Sequence, residues 1–213
     1  MKGKNMRLLA IDLNKQGMQE IKEGNLDQAK TCFKQAIAYD STLVESYQHM
    51  GEVCMQLADF VEAKHAYQQA WMLDPQASFL YAYGNACFMN GDEEEGLTFF
   101  HKAIQAGYKQ EDLLFFMGQA HERRNEIQQA LQCYQQACQQ QPTNLVYRMR
   151  LIPVLIKADQ DMQALEEIAV AKTMSNDSTI QRELLLDACE IYAKQDDIEH
   201  LKACVDECFA LRR

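Results

Sequence analysis

Apolar positions along the chain fall into paired segments, each with the three- and four-residue spacing of an amphipathic helix, and a short polar turn joins the two members of a pair. Four such turns stand out: Gly24-Asn25, Ala58-Asp59, Asn90-Gly91-Asp92 and Arg124-Asn125. Strand-type alternation is hard to find anywhere, and Ala, Leu, Gln, Glu and Lys, all good helix formers, dominate. Three prolines and nine glycines in 213 residues are too few turn-formers for an all-β protein. The chain reads as all-α.

The pairs repeat. Gly17, Gly51, Gly84 and Gly118 are separated by 34, 33 and 34 residues. Twelve residues after each comes a small residue: Ala29, Ala63, Gly96, Ala130. Four further on stands an aromatic (Phe33, Tyr67, Phe100, Tyr134), and three beyond that an alanine (Ala36, Ala70, Ala103, Ala137). Pro75 and Pro142 follow two of the second helices and stop them. Glycine in the first helix and alanine in the second let two backbones approach closely, and the aromatic fills the wedge between one pair and the next. The stretch around Gly84, Cys87, Asp92 and His101 is thus one repeat and no catalytic site.

This pattern resembles the tetratricopeptide repeat over residues 10–144. It departs where the family has a tryptophan, here Leu13, Tyr47, Leu80 and Leu114, and at the family's tyrosine, here Glu20, Cys54, Cys87 and His121. Residues 145–213 carry two degenerate pairs, with Ile152 in the glycine position, then Ala164, Ile168 and Ala171, and finally Tyr192 and an Asp196-Asp197 turn. The resemblance implies one right-handed α-solenoid over residues 1–213, with about six helix-turn-helix units. Thr42 with Glu45 and Ser178 with Gln181 read as capping boxes. Pro153, inside the fifth unit's first helix, predicts a kink or break.

A net charge of −10 without a Lys/Arg cluster argues against nucleic acid. The basic start has an apolar run of only four residues before Asp12, and no later stretch reaches transmembrane length, so neither a signal peptide nor membrane insertion is expected. Eight cysteines then point to reduced thiols and a cytoplasmic protein. Cys54, Cys87 and Cys189 are assigned one repeat position and Cys32, Cys133 and Cys204 another, while Cys138 and Cys208 lie near the ends of second helices. Such spacing favours packing over a metal site, although Cys204 and Cys208 share a helix face. His49, His65, His101, His121 and His200 lack metalloprotease spacing, and no phosphate-loop, dinucleotide or nucleophile-elbow motif occurs. No reaction, metal or cofactor is expected. The acidic runs Glu93–Glu95, Glu166–Glu167 and Asp196–Asp197 suit helix starts and solvent faces.

In the tetratricopeptide family the first helices line a concave groove that holds the ligand. By that resemblance the groove carries Gln48, Glu52 and Met55, then Tyr81, Asn85, Phe88 and Met89, then Phe115, Gln119 and Arg123, then Met149 and Ile156. Tyr81, Phe88, Met89, Phe115, Met149 and Ile156 form an apolar stripe, which a merely solvated groove would not need. The expected ligand is a protein segment, peptide or helix, with apolar anchors and flanking basic residues. The other reading is a groove filled by self-association into a homodimer, or by the protein's own C-terminal helices. The family's clamp for a chaperone's C-terminal carboxylate is not matched: Asn85 and Arg150 could each stand for one member, but no three consecutive units complete the set.

Overall fold

The computed structural model describes residues 2–109 and 112–211. Among them are twelve helices and no strands. They are α1 (Lys2–Glu23), α2 (Leu26–Tyr39), α3 (Val44–Gln56), α4 (Phe60–Leu73), α5 (Ala77–Asn90), α6 (Glu93–Gln105), α7 (Leu113–Arg123), α8 (Ile127–Gln140), α9 (Leu145–Lys157), α10 (Asp161–Met174), α11 (Ser178–Lys194) and α12 (Ile198–Ala210). The chain divides into two compact units, Met1–Gln110 and Glu111–Arg213, and each is described by itself. Within each unit the two helices of a pair pack together, and each second helix packs on the first helix of the next pair, the stacking of an α-solenoid.

The recurring glycine has a steric cause. A Cβ on Gly17 would stand 2.6 Å from the ring of Phe33, on Gly51 2.6 Å from Tyr67, on Gly84 2.8 Å from Phe100 and on Gly118 2.6 Å from Tyr134. The ring of each repeat therefore occupies the space that a side chain on its own glycine would need. In the third pair the two backbones also come close, since a Cβ on Gly96 would lie 3.1 Å from the Gly84 carbonyl oxygen. Each of these glycines thus makes room for the ring of its own pair, and Gly84 for the backbone of α6 as well.

All six pairs turn in the same way. Gly24, Ala58, Gly91, Asn125, Asp159 and Asp196 have φ between 54 and 87°. The next N–H in each case reaches the carbonyl five residues back: Asn25 to Glu20, Asp59 to Cys54, Asp92 to Cys87, Glu126 to His121, Gln160 to Leu155 and Asp197 to Tyr192, at 2.8–2.9 Å. This is the Schellman closure, and it holds in the two degenerate pairs as well. It also resets one alignment. Tyr192, not Cys189, takes the place of Cys54 and Cys87, so Cys189 lies one helical turn earlier.

Three local expectations change. α9 runs unbroken through Pro153, with buried Leu151, Ile152, Val154 and Leu155 packing the segment around the missing N–H donor. α11 is capped by Asp177, whose carboxylate accepts from the N–H of Thr179 at 2.7 Å and of Ile180 at 3.3 Å, and Ser178 is already helical. Thr42 donates to Asp40 at 2.6 Å instead of capping α3.

Candidate binding surface

In the first unit, Gln48, Glu52 and Met55 lie along one face of α3, and Tyr81, Asn85 and Met89 along the corresponding face of α5. The Gln48 amide donates to the Glu52 carboxylate at 2.9 Å, which leaves both side chains ordered and half-buried. Met55 is half-buried against the core. Tyr81 is half-buried, stacked on Tyr108 at 4.9 Å between centroids and 5.9 Å from Phe100. Asn85 holds its Oδ1 out of solvent without a hydrogen bond. Met89 is 46% exposed, as is Met18 of α1 at 40%.

The rest of the expected apolar stripe is not an open wall. Phe88 is only 2% exposed, and its backbone lies where α5 and α6 come close, a Cβ on Gly96 standing 3.3 Å from the Phe88 nitrogen. In the second unit Phe115 and Ile156 are core, at 9% and 7% exposure, and Met149 is half-buried against the same core. Gln119 is half-buried and Arg123 exposed.

The burial of Phe115 follows from its register. It precedes Gly118 by three residues, as Asn14 precedes Gly17. Asn14 is buried and meets the next first helix, its Oδ1 accepting from Ser46 Oγ at 3.1 Å and lying 3.2 Å from His49 Nδ1. Phe115 does the same with apolar chemistry, stacking on Tyr147 of α9 at 4.8 Å and lying 5.8 Å from Tyr134. In these two pairs the position seals one first helix onto the next.

A charged lattice between neighbouring pairs went unread in the sequence, although its spacing was available. Lys30 Nζ lies 2.7 Å from Asp59 and 2.5 Å from Glu62. One repeat on, Lys64 Nζ lies 2.7 Å from Asp92 and 2.6 Å from Glu95. The carboxylates with nearby buried Cys54 make a group of metal-ligand type, Cys54, Asp59 and Glu62. It does not fit a metal, since the Lys30 ammonium already provides the positive charge between its two carboxylates. Burial pushes the Cys54 thiol up to about 11 and the Cys87 thiol up to about 12, far from a reactive thiolate.

The second unit carries one strongly shifted carboxyl. Burial, with like charge from Glu183 and Glu190 on the same face of α11, pushes Asp187 up to about 6. The folded state therefore holds a proton that the unfolded chain releases near pH 4. Its contribution favours folding at low pH and is lost as the pH rises through 6. Asp187→Asn is expected to raise stability at pH 7 by about 1–2 kcal/mol and to change little at pH 4. Urea unfolding at the two pH values checks this.

These features define a protein of stacked, repeated helix pairs. Residues 19–188 match the family model described as tetratricopeptide repeat, and the chain belongs to that family. No curated protein matches the sequence. The fold is similar to that of YrrB, a TPR protein described as having an unusual peptide-binding site, at 20% identity and a TM-score of 0.72, covering 84% of this chain and 91% of that one. It is similar to MamA of Desulfovibrio magneticus RS-1 at 16% identity and TM-score 0.72, covering 78% and 94%. It is also similar to pilF of Pseudomonas aeruginosa at 15% identity and TM-score 0.70, covering 94% and 90%. The fold is that of a protein-interaction scaffold. Among the described residues no helix is long and apolar enough to cross a membrane.

Proposed function

We propose that the protein is a non-enzymatic scaffold that captures an extended peptide or a helical segment on the first-helix face of its first unit. The observation that carries this reading is Asn85: a buried amide oxygen without a hydrogen bond, on the same helix face as exposed Met89 and half-buried Tyr81. Turning the Asn85 side-chain amide toward the groove lets this oxygen accept from a backbone N–H of a ligand, and methionines adapt to varied apolar anchors. Glu45 and Glu52 on α3 favour basic residues beside those anchors. A peptide-binding site in YrrB, similar in fold, supports a ligand of this kind. Gln119, Arg123 and Met149 supply a smaller, mixed surface in the second unit. Such capture suits an adaptor, an assembly factor or a holding chaperone, and the eight free thiols support a cytoplasmic setting.

Fluorescence anisotropy with peptides carrying Leu or Met anchors, flanked by either Lys/Arg or Asp/Glu, tests the proposal. Basic-flanked peptides are expected to bind more tightly, and Asn85→Ala and Met89→Glu are each expected to weaken binding about tenfold or more without unfolding the protein. Equal binding of both peptide classes, or no effect of Asn85→Ala, would overturn it.

A further inference from the structure

The repeat register shows that the first and last helix pairs finish their outer faces differently. On a first helix, the residue before the glycine position and the one two after it face the preceding pair. In α3, α5 and α9 these are Met50, Tyr83 and Leu151, then Val53, Ala86 and Val154, none more than 8% exposed. In α1 the same positions are Gln16 and Gln19, both exposed, with exposed Asp12 nearby. The outer face of α1 is thus polar.

The outer face of the last pair is not. Nine residues after the left-handed turn residue stand Phe33, Tyr67, Tyr134 and Ile168, at 5% exposure or less, each in a core shared with the next pair. In the last pair this position holds Val205, 37% exposed. Ten residues before the turn, where Phe115 and Tyr81 meet the rings of Tyr134 and Phe100 at 5.8 and 5.9 Å, the last pair has Leu186, 59% exposed. Ile198 and Phe209, at 63% and 58% exposure, extend this face along α12, which has no buried residue. Side chains that elsewhere hold two repeats together here face solvent.

We propose that this face of α11 and α12 is a self-association surface, on which α12 packs antiparallel against α12 of a second copy of the chain. The sequence of the helix is complementary to itself in that orientation. Ile198, Lys202, Val205 and Phe209 form one stripe at four-, three- and four-residue spacing, with Asp206 beside it. About a two-fold axis near residue 204, Ile198 of one copy opposes Phe209 of the other, and exposed Lys202 meets exposed Asp206 twice over. Docking this end onto the outer face of α1 would set Val205 and Leu186 against Gln16, Gln19 and Asp12, so the closed pair is favoured over a head-to-tail filament. A 13-residue helix is about 20 Å long, so the contact is small and the dimer weak, in about the micromolar range.

Sedimentation equilibrium of the whole chain from about 1 to 500 µM reads the result, since weak dimers dissociate on dilution. The expected outcome is a reversible shift from a 24.5 kDa monomer toward twice that mass. Val205→Asp should move the midpoint at least about tenfold upward, with an unchanged circular dichroism spectrum because the residue is exposed. Lys202→Glu and Asp206→Lys should each weaken the dimer alone, by like-charge contact. An equimolar mixture of the two variants should recover it, since both cross-copy contacts then pair opposite charges. A monomer throughout, as when another protein's helix or a further segment of chain covers this face, overturns the proposal. So does a dimer indifferent to Val205→Asp, or a mixture that fails to recover. Peptide binding at Asn85 is read separately and can fail or succeed without affecting this result.

Discussion

Phe115→Ala is expected to destabilise the protein about as much as Tyr134→Ala, by about 3–5 kcal/mol each. Both rings lie in the core of the second unit, at 9% and 0% exposure. Phe115 stacks on Tyr147 and lies edge-on to Phe116, so truncating it opens a void between α7 and α9 and leaves the Tyr147 ring without its stacking partner. Tyr134 loses in addition the hydrogen bond from its hydroxyl to the Glu122 carboxylate, 3.0 Å. Trp71, the one tryptophan, is on α4 in the first unit, so helical circular dichroism during urea unfolding is the suitable readout. Met89→Ala, at an exposed site, should stay within about 0.5 kcal/mol of the parent. A cost for Phe115→Ala below about 1 kcal/mol would return that residue to an open surface.

The contrast between Phe115 and Met89 marks where sequence reading stopped. Glycine, aromatic and alanine recur at fixed offsets because each is fixed by a contact inside its own pair, and such local contacts leave a periodic trace. The six left-handed turns leave a trace too, through Gly24, Gly91 and Asn125, although Ala58 hides its conformation completely. Which face of a first helix is covered is a different matter. Three- and four-residue spacing groups Phe88, Phe115, Met149 and Ile156 on one side, but the enclosure of that side depends on how the next helix approaches. Asn14, in the register of Phe115, already showed a polar residue at that seam, paired with Ser46 and His49 thirty-two and thirty-five residues away. The place of Asn85 on the first-helix face is legible from spacing, whereas its unsatisfied oxygen depends on packing geometry that no spacing encodes. The same holds for Pro153, where surrounding burial outweighs the lost donor.

Gly118→Val is expected to cost about 3 kcal/mol, the upper part of the range for overpacking a tight core. The first new atom alone would stand 2.6 Å from Cε1, 2.7 Å from Cδ1 and 3.0 Å from Cζ of Tyr134. Three ring atoms at that distance must all move, and the ring has little freedom to do so. It is wholly buried, its hydroxyl is held by Glu122, and Phe115 blocks one side. The gain in helix propensity over glycine is only a few tenths of a kcal/mol for valine, too small to offset the clash. Removing the obstruction should offset part of this loss. Combined with Tyr134→Ala, the valine can enter the space vacated by the ring, so the double variant should be more stable than the sum of the single losses by about 1–3 kcal/mol. Additive losses in that cycle would show that the glycine is required for backbone approach alone, and that the ring of its own repeat does not dictate it.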